Sequence, residues 1–381
     1  MILFGIITGV MLCGIAAVLL LNVFTFPRLR QVDGTPTIAG KVSILIPARN
    51  EAAVIGRTVQ MLRQQIFTHF ELLILDDQSS DGTSDVIQQA AAGDERVRII
   101  NGKPPPADWS GKNWACHQLS QSASGDFLIF TDADVQWQPG ALAALLTYQA
   151  YSRADLLTVW PTQETITLAE RLVVPLMGMV ILGYLPVLAV HHIPWAIFAA
   201  ANGQCLLFRR AAYQALGGHT SARKEIVEDV VLARRIKAQG LRLRMIDGAG
   251  LIGCRMYQDW ASVRAGFAKN ILAGHGNSQV FLAFSTVVHW SLFIVPLIWL
   301  LFDAGGEGWP AFPIGLIVLG LLIRALSAAF TRQRVLDAFG MPGSVVLMTL
   351  IAARSVWWQW RFGGPRWKDR TIVVTEQGQH G

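Results

Sequence analysis

The 381-residue chain predicts an α/β fold with a mostly parallel sheet, flanked by transmembrane helices. Short β-rich runs alternate with helical stretches between Lys41 and about Asp247, at the spacing of βαβ units. Several of these runs end in acidic or Arg-Asn-Glu clusters, where the ligands of parallel sheets sit. The segments on either side are apolar and almost free of charge.

Residues 1–27 contain no Asp, Glu, Lys or Arg, and Arg28 and Arg30 follow at once. A bilayer core of about 30 Å needs roughly 20 helical residues, so 1–27 predicts an N-terminal transmembrane anchor. A cleaved signal peptide would begin with basic residues and end in a small-residue site, and neither is present. The two arginines place the following domain in the cytoplasm. VSILIP (42–47), ELLILDD (71–77), VRII (97–100) and FLIFTDAD (127–134) predict buried parallel strands, with helices near 52–65, 84–92, 113–123 and 139–151. Residues 172–208 also lack charge, but Pro175, Gly178, Gly183, Pro186 and Pro194 interrupt them. A true span there would separate the two halves of the α/β domain, 41–270. The stretch 172–200 therefore reads as an interfacial or re-entrant segment within that domain. A C-terminal membrane region covers 279–360, with spans at 279–302 and 309–330 and a short interfacial run, 338–353, that stops at Arg354. The basic tail 361–381 then stays on the cytoplasmic side. The expected location is the cell (inner) membrane, multi-pass, with the catalytic domain cytoplasmic.

Hydrophobic residues make up 52% of the chain and charged residues only 15%, against about 25% in an average soluble protein. Disordered and coiled-coil chains carry far more charge and are excluded. Of the 58 charged residues, 42 fall within 41–270, where the net charge is only +2 of the total +6. The basic excess therefore lies beside the membrane segments and suits a lipid bilayer. There is no Lys/Arg-rich run with interleaved aromatics, so no nucleic-acid partner is expected. Cys13, Cys116, Cys205 and Cys254 show no CxxC spacing, which fits a reducing compartment without a disulfide framework or structural zinc.

Strand ends supply the chemistry. The first run leads into Arg49-Asn50-Glu51, the second into Asp76-Asp77-Gln78-Ser79-Ser80-Asp81-Gly82, and the fourth into Asp132-Ala133-Asp134. Each has a local alternative: DQSSDG also describes a turn and helix cap, and Glu51 also suits a first helical turn. Together, the carboxylates converge on one crevice, which is tolerable when something cationic sits among them. Asp132 and Asp134 can share a hard divalent ion, Mg2+ or Mn2+, with phosphate oxygens completing its shell. Neither GxxxxGK[ST] nor GxGxxG occurs to cradle phosphates.

PARNE, DDQSSDGT, TDAD and Glu228-Asp229, in that order over about 41–270, resemble a family 2 glycosyltransferase. PPPADWSGKNWAC (104–116), AAANGQCLLFRRAAYQALGGH (199–219), VEDVVLARRIK (227–237), the CRMYQDW…GFAKN stretch (254–270) and WKDR (367–370) resemble its membrane-bound branch acting on carotenoid- or hopanoid-type lipids. The resemblance implies a GT-A fold, Rossmann-like with a mostly parallel sheet. It also implies inverting transfer from a nucleotide-diphosphate sugar, of UDP type, to a hydroxyl or carboxyl of a membrane lipid acceptor. Arg49, Glu51 and one or both of Asp76 and Asp77 would hold the uridine-type nucleoside. Asp132 would meet ribose or metal, Asp134 would be the main metal ligand, and Asp229 of the Glu228-Asp229 pair the general base. Lys112, at a helix start, suits phosphate oxygens, or is a solvated lysine. Asn202 and Gly203 suit an acceptor pocket or a turn. Trp109 and Trp114 suit ring stacking or plain packing. His219, after two glycines, is a further candidate. Processive synthases of the family carry Gln-x-x-Arg-Trp, which this sequence lacks. Single-sugar transfer is the expectation; a processive synthase and a catalytically silent nucleotide-sugar-binding membrane protein are the alternatives.

Overall fold

The computed structural model describes residues 1–32, 34, 40–367, 370 and 371. Its chain divides into two compact units: Thr25–Glu164 with Val187–Met256, and Met1–Phe24 with Thr165–Pro186 and Tyr257–Gly381.

The first unit is built on β1 (Val42–Ala48), β2 (Phe70–Asp76), β3 (Val97–Asn101), β4 (Phe127–Thr131), β5 (Val135–Trp137), β6 (Leu156–Trp160), β7 (Thr162–Gln163), β8 (Cys205–Arg209), β9 (Leu243–Asp247) and β10 (Ile252–Cys254). Among the described residues the main sheet runs β3-β2-β1-β4-β8-β6-β9. Only β8 is antiparallel to its neighbours. β1 and β2 are apolar on both faces, and Ile44, Leu45, Ile46, Leu72, Leu73 and Ile74 are fully buried, as expected of central parallel strands. Helices Ile55–Arg63, Thr83–Ala91, Gly111–Ser122 and Ala141–Ser152 alternate with the strands.

Two strand expectations need correction. β3 is the sheet edge, paired on one side only, and Arg98 and Ile99 face solvent rather than the core. The run 127–134 is not one strand. β4 ends at Thr131, where the Gln204 carbonyl accepts both the Thr131 hydroxyl (3.0 Å) and the Asp132 N–H (3.2 Å). The chain then turns through Asp132–Asp134 into β5, which belongs to a separate small sheet, β5-β10-β7. The Asp-Ala-Asp triplet thus sits at a corner between two sheets.

Arg28, just beyond the first helix, docks on β9. Its guanidinium lies 3.5 Å from the Asp247 carboxylate, and main-chain bonds of 2.9 Å run from Leu29 to Asp247 and from Asp247 to Pro27.

The second unit is helical. Among the described residues, Ile2–Thr25, Ala311–Phe330 and Val335–Phe362 are long and apolar enough to cross a membrane. Gln279–Phe293 and Val295–Phe302 pass the same test as a pair bent by 42°. The bend falls beside Pro296, which lacks the N–H that would continue the helix. The last helix does not stop at Arg354 as expected: it continues to Phe362, with the Arg354 guanidinium 4.8 Å above the Trp358 ring one turn on.

The apolar run 172–200 is not a single segment either. A helix over Pro175–Tyr184 ends ahead of Pro186, and the division between units falls immediately after that proline. Asn22, fully buried in the first helix, donates to the carbonyls of Leu182 and Leu185 (both 2.8 Å), partners that a helix end in an apolar setting requires. Most of the basic tail lies outside the described residues, Lys368 included.

Candidate active site

The loops after β1 and β2 are knitted together by their polar residues. Asn50 adopts a left-handed backbone (φ 51°), and its N–H donates to Ser79 Oγ (2.9 Å) while its Oδ1 accepts from Ser80 N–H (2.9 Å). The Glu51 N–H donates to Thr83 Oγ1 (2.8 Å) and the Ala52 N–H to Asp81 (3.1 Å). Arg49 donates to the Asp77 carbonyl (2.6 Å), with the Asp77 carboxylate at 3.7 Å.

The adjacent acids at the end of β2 have separate jobs. Asp76 accepts from the Ser79 N–H (2.9 Å) and from the Ser84 hydroxyl, so its carboxylate holds the loop itself. Asp77 is the one paired with Arg49. Asp76→Ala is therefore expected to destabilise the protein by about 1 kcal/mol, because the partly buried Ser79 and Ser84 donors lose their acceptor. Asp77→Ala leaves those bonds in place and is expected to cost less stability. Thermal midpoints of the two variants check the division.

The remaining acids form a continuous cluster. Lys112 lies in the first turn of Gly111–Ser122, whose cap Ser110 accepts from the Asn113 N–H (3.3 Å). Its amine reaches Asp132 at 3.0 Å and Glu228 at 3.1 Å. Burial pushes this amine down, but the two carboxylates outweigh it and hold it well above its ordinary value. Glu228 and Asp229 open the helix Glu228–Ala238, where the free N–H groups favour negative charge.

Asp229 accepts from the Gly203 N–H (2.7 Å) and the Val230 N–H (2.8 Å). Burial and the neighbouring Glu228 push its carboxyl up to about 7, against the pull of Lys112 and those two N–H groups. Asp134 is also pushed up to about 7, by burial and by the Asp132 and Glu51 carboxylates. Its Oδ1 is buried without a hydrogen-bond partner. Gly203 lies against the centre of the cluster: a Cβ there would stand 3.4 Å from Asp229 and 3.5 Å from both Glu228 and Lys112, ordinary contact distances.

Glu51, Lys112, Asp132, Asp134, Gly203, Glu228 and Asp229 are thus gathered in one place, and Arg49, Asp76 and Asp77 hold the neighbouring strand ends. The other sequence candidates behave differently. Asn202 closes its own turn, its Oδ1 accepting from the Gln204 N–H (3.0 Å). Trp109 packs on Trp114 and His117, with Arg223 above its ring at 5.5 Å. His219 is buried against Tyr213 (2.7 Å) and held neutral, with burial lowering it to about 3.

Sequence reasoning missed Gln204 and Cys254. The Gln204 carboxamide donates to Cys254 Sγ (3.1 Å); burial pushes the Asp134 carboxyl up, and Cys254 pulls it the other way. Neither residue belongs to a motif with a chemical reading, and β10, only three residues long, has too little periodicity to be read.

This crevice of carboxylates lies beyond the strand ends of a mostly parallel sheet, where open α/β sheets place their ligands. Residues 43–215 match the family model Glycosyl transferase family 2. That stretch is similar to family 2 glycosyltransferase domains, and the fold is that of GT-A glycosyltransferases. Curated relatives include the 4,4'-diaponeurosporenoate glycosyltransferase of Staphylococcus haemolyticus, 26% identical over 67% of this chain and 66% of the relative. Its namesake in Staphylococcus aureus strain MRSA252 is 30% identical over 62% of each chain. The match thus spans slightly less than two thirds of the length of these relatives. Among solved structures, the mannosyltransferase PcManGT from Pyrobaculum calidifontis, in complex with GDP-Man and Mn2+, superposes with a TM-score of 0.57 at 16% identity. That similarity covers 93% of this chain and 99% of the other.

Proposed function

We propose that the protein is a membrane-bound, inverting glycosyltransferase that moves one sugar from a nucleoside-diphosphate sugar to a hydroxyl or carboxyl of a membrane lipid. The observation that carries this reading is the single acid cluster in which Lys112 bridges Asp132 and Glu228, Asp229 is held by the Gly203 N–H, and the buried Asp134 Oδ1 has no partner. Asp229 is anchored by the Gly203 and Val230 N–H groups, and its raised carboxyl suits a base working near neutral pH. It takes the proton of an acceptor hydroxyl as that oxygen bonds to the anomeric carbon. The bond from that carbon to the diphosphate oxygen breaks on the opposite face, and the nucleoside diphosphate leaves with the bonding pair. Glu228 holds Lys112, which sets fixed positive charge beside the leaving group.

Among the described residues no three His, Cys, Asp or Glu side chains converge as a self-sufficient metal centre. The unpartnered, buried Oδ1 of Asp134 nevertheless fits a cation whose shell is completed by phosphate oxygens. Asp134, with Asp132, would hold Mg2+ or Mn2+, which supplies positive charge to the departing diphosphate. Arg49, Glu51 and Asp77 hold the nucleoside. The PcManGT complex was solved with a nucleotide sugar and Mn2+, which supports the same assignment here.

The lipid acceptor is supported by the candidate spans and by relatives named for transfer to 4,4'-diaponeurosporenoate. The catalytic unit is assigned to the cytoplasmic face of the cell membrane. In the test, membranes carrying the full chain receive Mn2+, a panel of isotope-labelled nucleotide sugars and a lipid extract, with products read by mass spectrometry. A lipid gaining a single sugar is expected. Nucleotide binding without any product would overturn the reading in favour of a silent binding protein, and a long-chain product in favour of a processive synthase.

A further inference from the structure

We propose that the Lys112 ammonium competes with the divalent ion for Asp132, so that the ion is held firmly only together with a nucleoside diphosphate. The inference rests on the reading that Asp132 and Asp134 hold that ion, and it gives Lys112 the coupling between cation and donor.

The amine lies 3.0 Å from Asp132 Oδ1 and 3.1 Å from Glu228 Oε1. These partners are unequal. The Glu228 side chain is 8% exposed and that of Asp132 30%, so Glu228 is the inner anchor and Asp132 the outer one, open to a ligand. An ammonium carries three donors. Two are directed at the carboxylates, which leaves one for an oxygen from outside.

The backbone beneath the amine is fixed. Asn113, buried beside it in sequence, donates through its carboxamide to the carbonyls of Ala222 (2.6 Å) and Glu225 (3.0 Å). The Ser110 N–H donates to the Arg223 carbonyl (2.8 Å). These bonds tie the start of the Lys112 helix to the strip of chain that leads into Glu228. The lysine and its inner anchor therefore keep their spacing, and the ammonium stays within reach of Asp132.

Two cations on one carboxylate repel, and more strongly where water is partly excluded. Lys112 thus weakens the hold on an ion that arrives alone. A diphosphate reverses the balance, because it brings negative charge to both cations, an acceptor for the third Lys112 donor and oxygen ligands for the ion. Cation and nucleotide then bind cooperatively, each raising the affinity of the other by the same factor. A lysine that merely orients Asp132 as a metal ligand has the opposite sign: its removal weakens the ion.

The test titrates Mn2+ into the purified full-length chain, following the free-ion paramagnetic resonance signal, first alone and then with saturating UDP or GDP. Lys112→Met is expected to tighten binding of Mn2+ alone by about 10-fold, the effect of one nearby charge on a partly exposed carboxylate. In wild type, one of the two nucleotides is expected to tighten Mn2+ binding by about 5–150-fold, and in Lys112→Met by a smaller factor. Lys112→Met leaves Glu228 without its cation, so a second comparison guards against loss of the fold. Mn2+ alone should bind tighter to Lys112→Met combined with Glu228→Gln than to Glu228→Gln by itself. Thermal midpoints identify the folded variants.

Unchanged or weaker binding of Mn2+ alone in the folded lysine variants would overturn the proposal. So would equal tightening by nucleotide with and without Lys112, or none in wild type. Asp134→Asn separates the two levels. Unchanged Mn2+ binding in that variant overturns the cation assignment itself, whereas its loss beside an unaffected Lys112→Met overturns only the role of Lys112.

Discussion

Asp229→Asn is expected to lower kcat by about 10²–10⁴-fold, the usual contribution of a positioned base. Affinity for the nucleotide sugar should change little, because Asp229 bonds to Gly203 and Val230 and not to the Arg49–Asp77 end of the site. The pH dependence carries the same signature. The base must be ionised, and its carboxyl is pushed up to about 7. With a hydroxyl acceptor, wild-type kcat/KM therefore falls as pH drops through neutrality, and the residual activity of the variant lacks that limb. Stability moves oppositely. The folded protein holds this proton more tightly than the unfolded chain, whose Asp value is 3.8. Folding stability thus declines as pH rises from about 4 to about 7 and then levels off. Asparagine removes that decline, so the variant should melt higher than wild type at alkaline pH. Rate profiles and melting curves on one preparation check both signs, and an unchanged turnover number would remove Asp229 from the mechanism.

Asp134→Ala, or chelation of divalent ions from the wild-type protein, is expected to reduce transfer by about 10²–10³-fold, matching the several kcal/mol that a cation contributes to a departing diphosphate. Added Mn2+ should restore the chelated enzyme and leave the variant inactive. Full transfer in excess chelator would dismiss the ion. Asp132→Ala should be milder, since Asp132 shares Lys112 with Glu228 and Glu228 retains that partner.

The parallel half of the sheet was legible because β1 and β2 are apolar on both faces and their ends carry unlike polar clusters. Asp132 and Asp134 were legible as acids at a strand end, whereas Glu228 and Asp229 alone read as an ordinary helix start and were singled out only through the resemblance. The corner after Thr131 was not, because TDADV reads as continuous strand and the bond that ends it comes from Gln204, remote in sequence. Nor did sequence distinguish Asp76 from Asp77. Adjacent identical residues differ there only in which partners, Ser84 or Arg49, the fold brings to them. Lys112 was read as facing phosphate or solvent, since nothing local reveals that Asp132 and Glu228 meet on either side of its amine. Arg354 ended the last helix on charge alone, whereas Trp358 one turn later supplies a surface on which it rests.

The corner at Asp132–Asp134 also sets an order of assembly on the ribosome. The βαβ units up to β4 use near neighbours in sequence, and such local pairings form first. At that stage the nascent chain already displays both aspartates, but Glu228, the second anchor of Lys112, has not been made. Cys254, more than a hundred residues beyond Asp134, emerges later still, and β5 has no strand to pair with until then. The two acids therefore remain on a turn without its partner strand until β10 is made, and the cation pocket proposed above would be complete only once β10 pairs with β5.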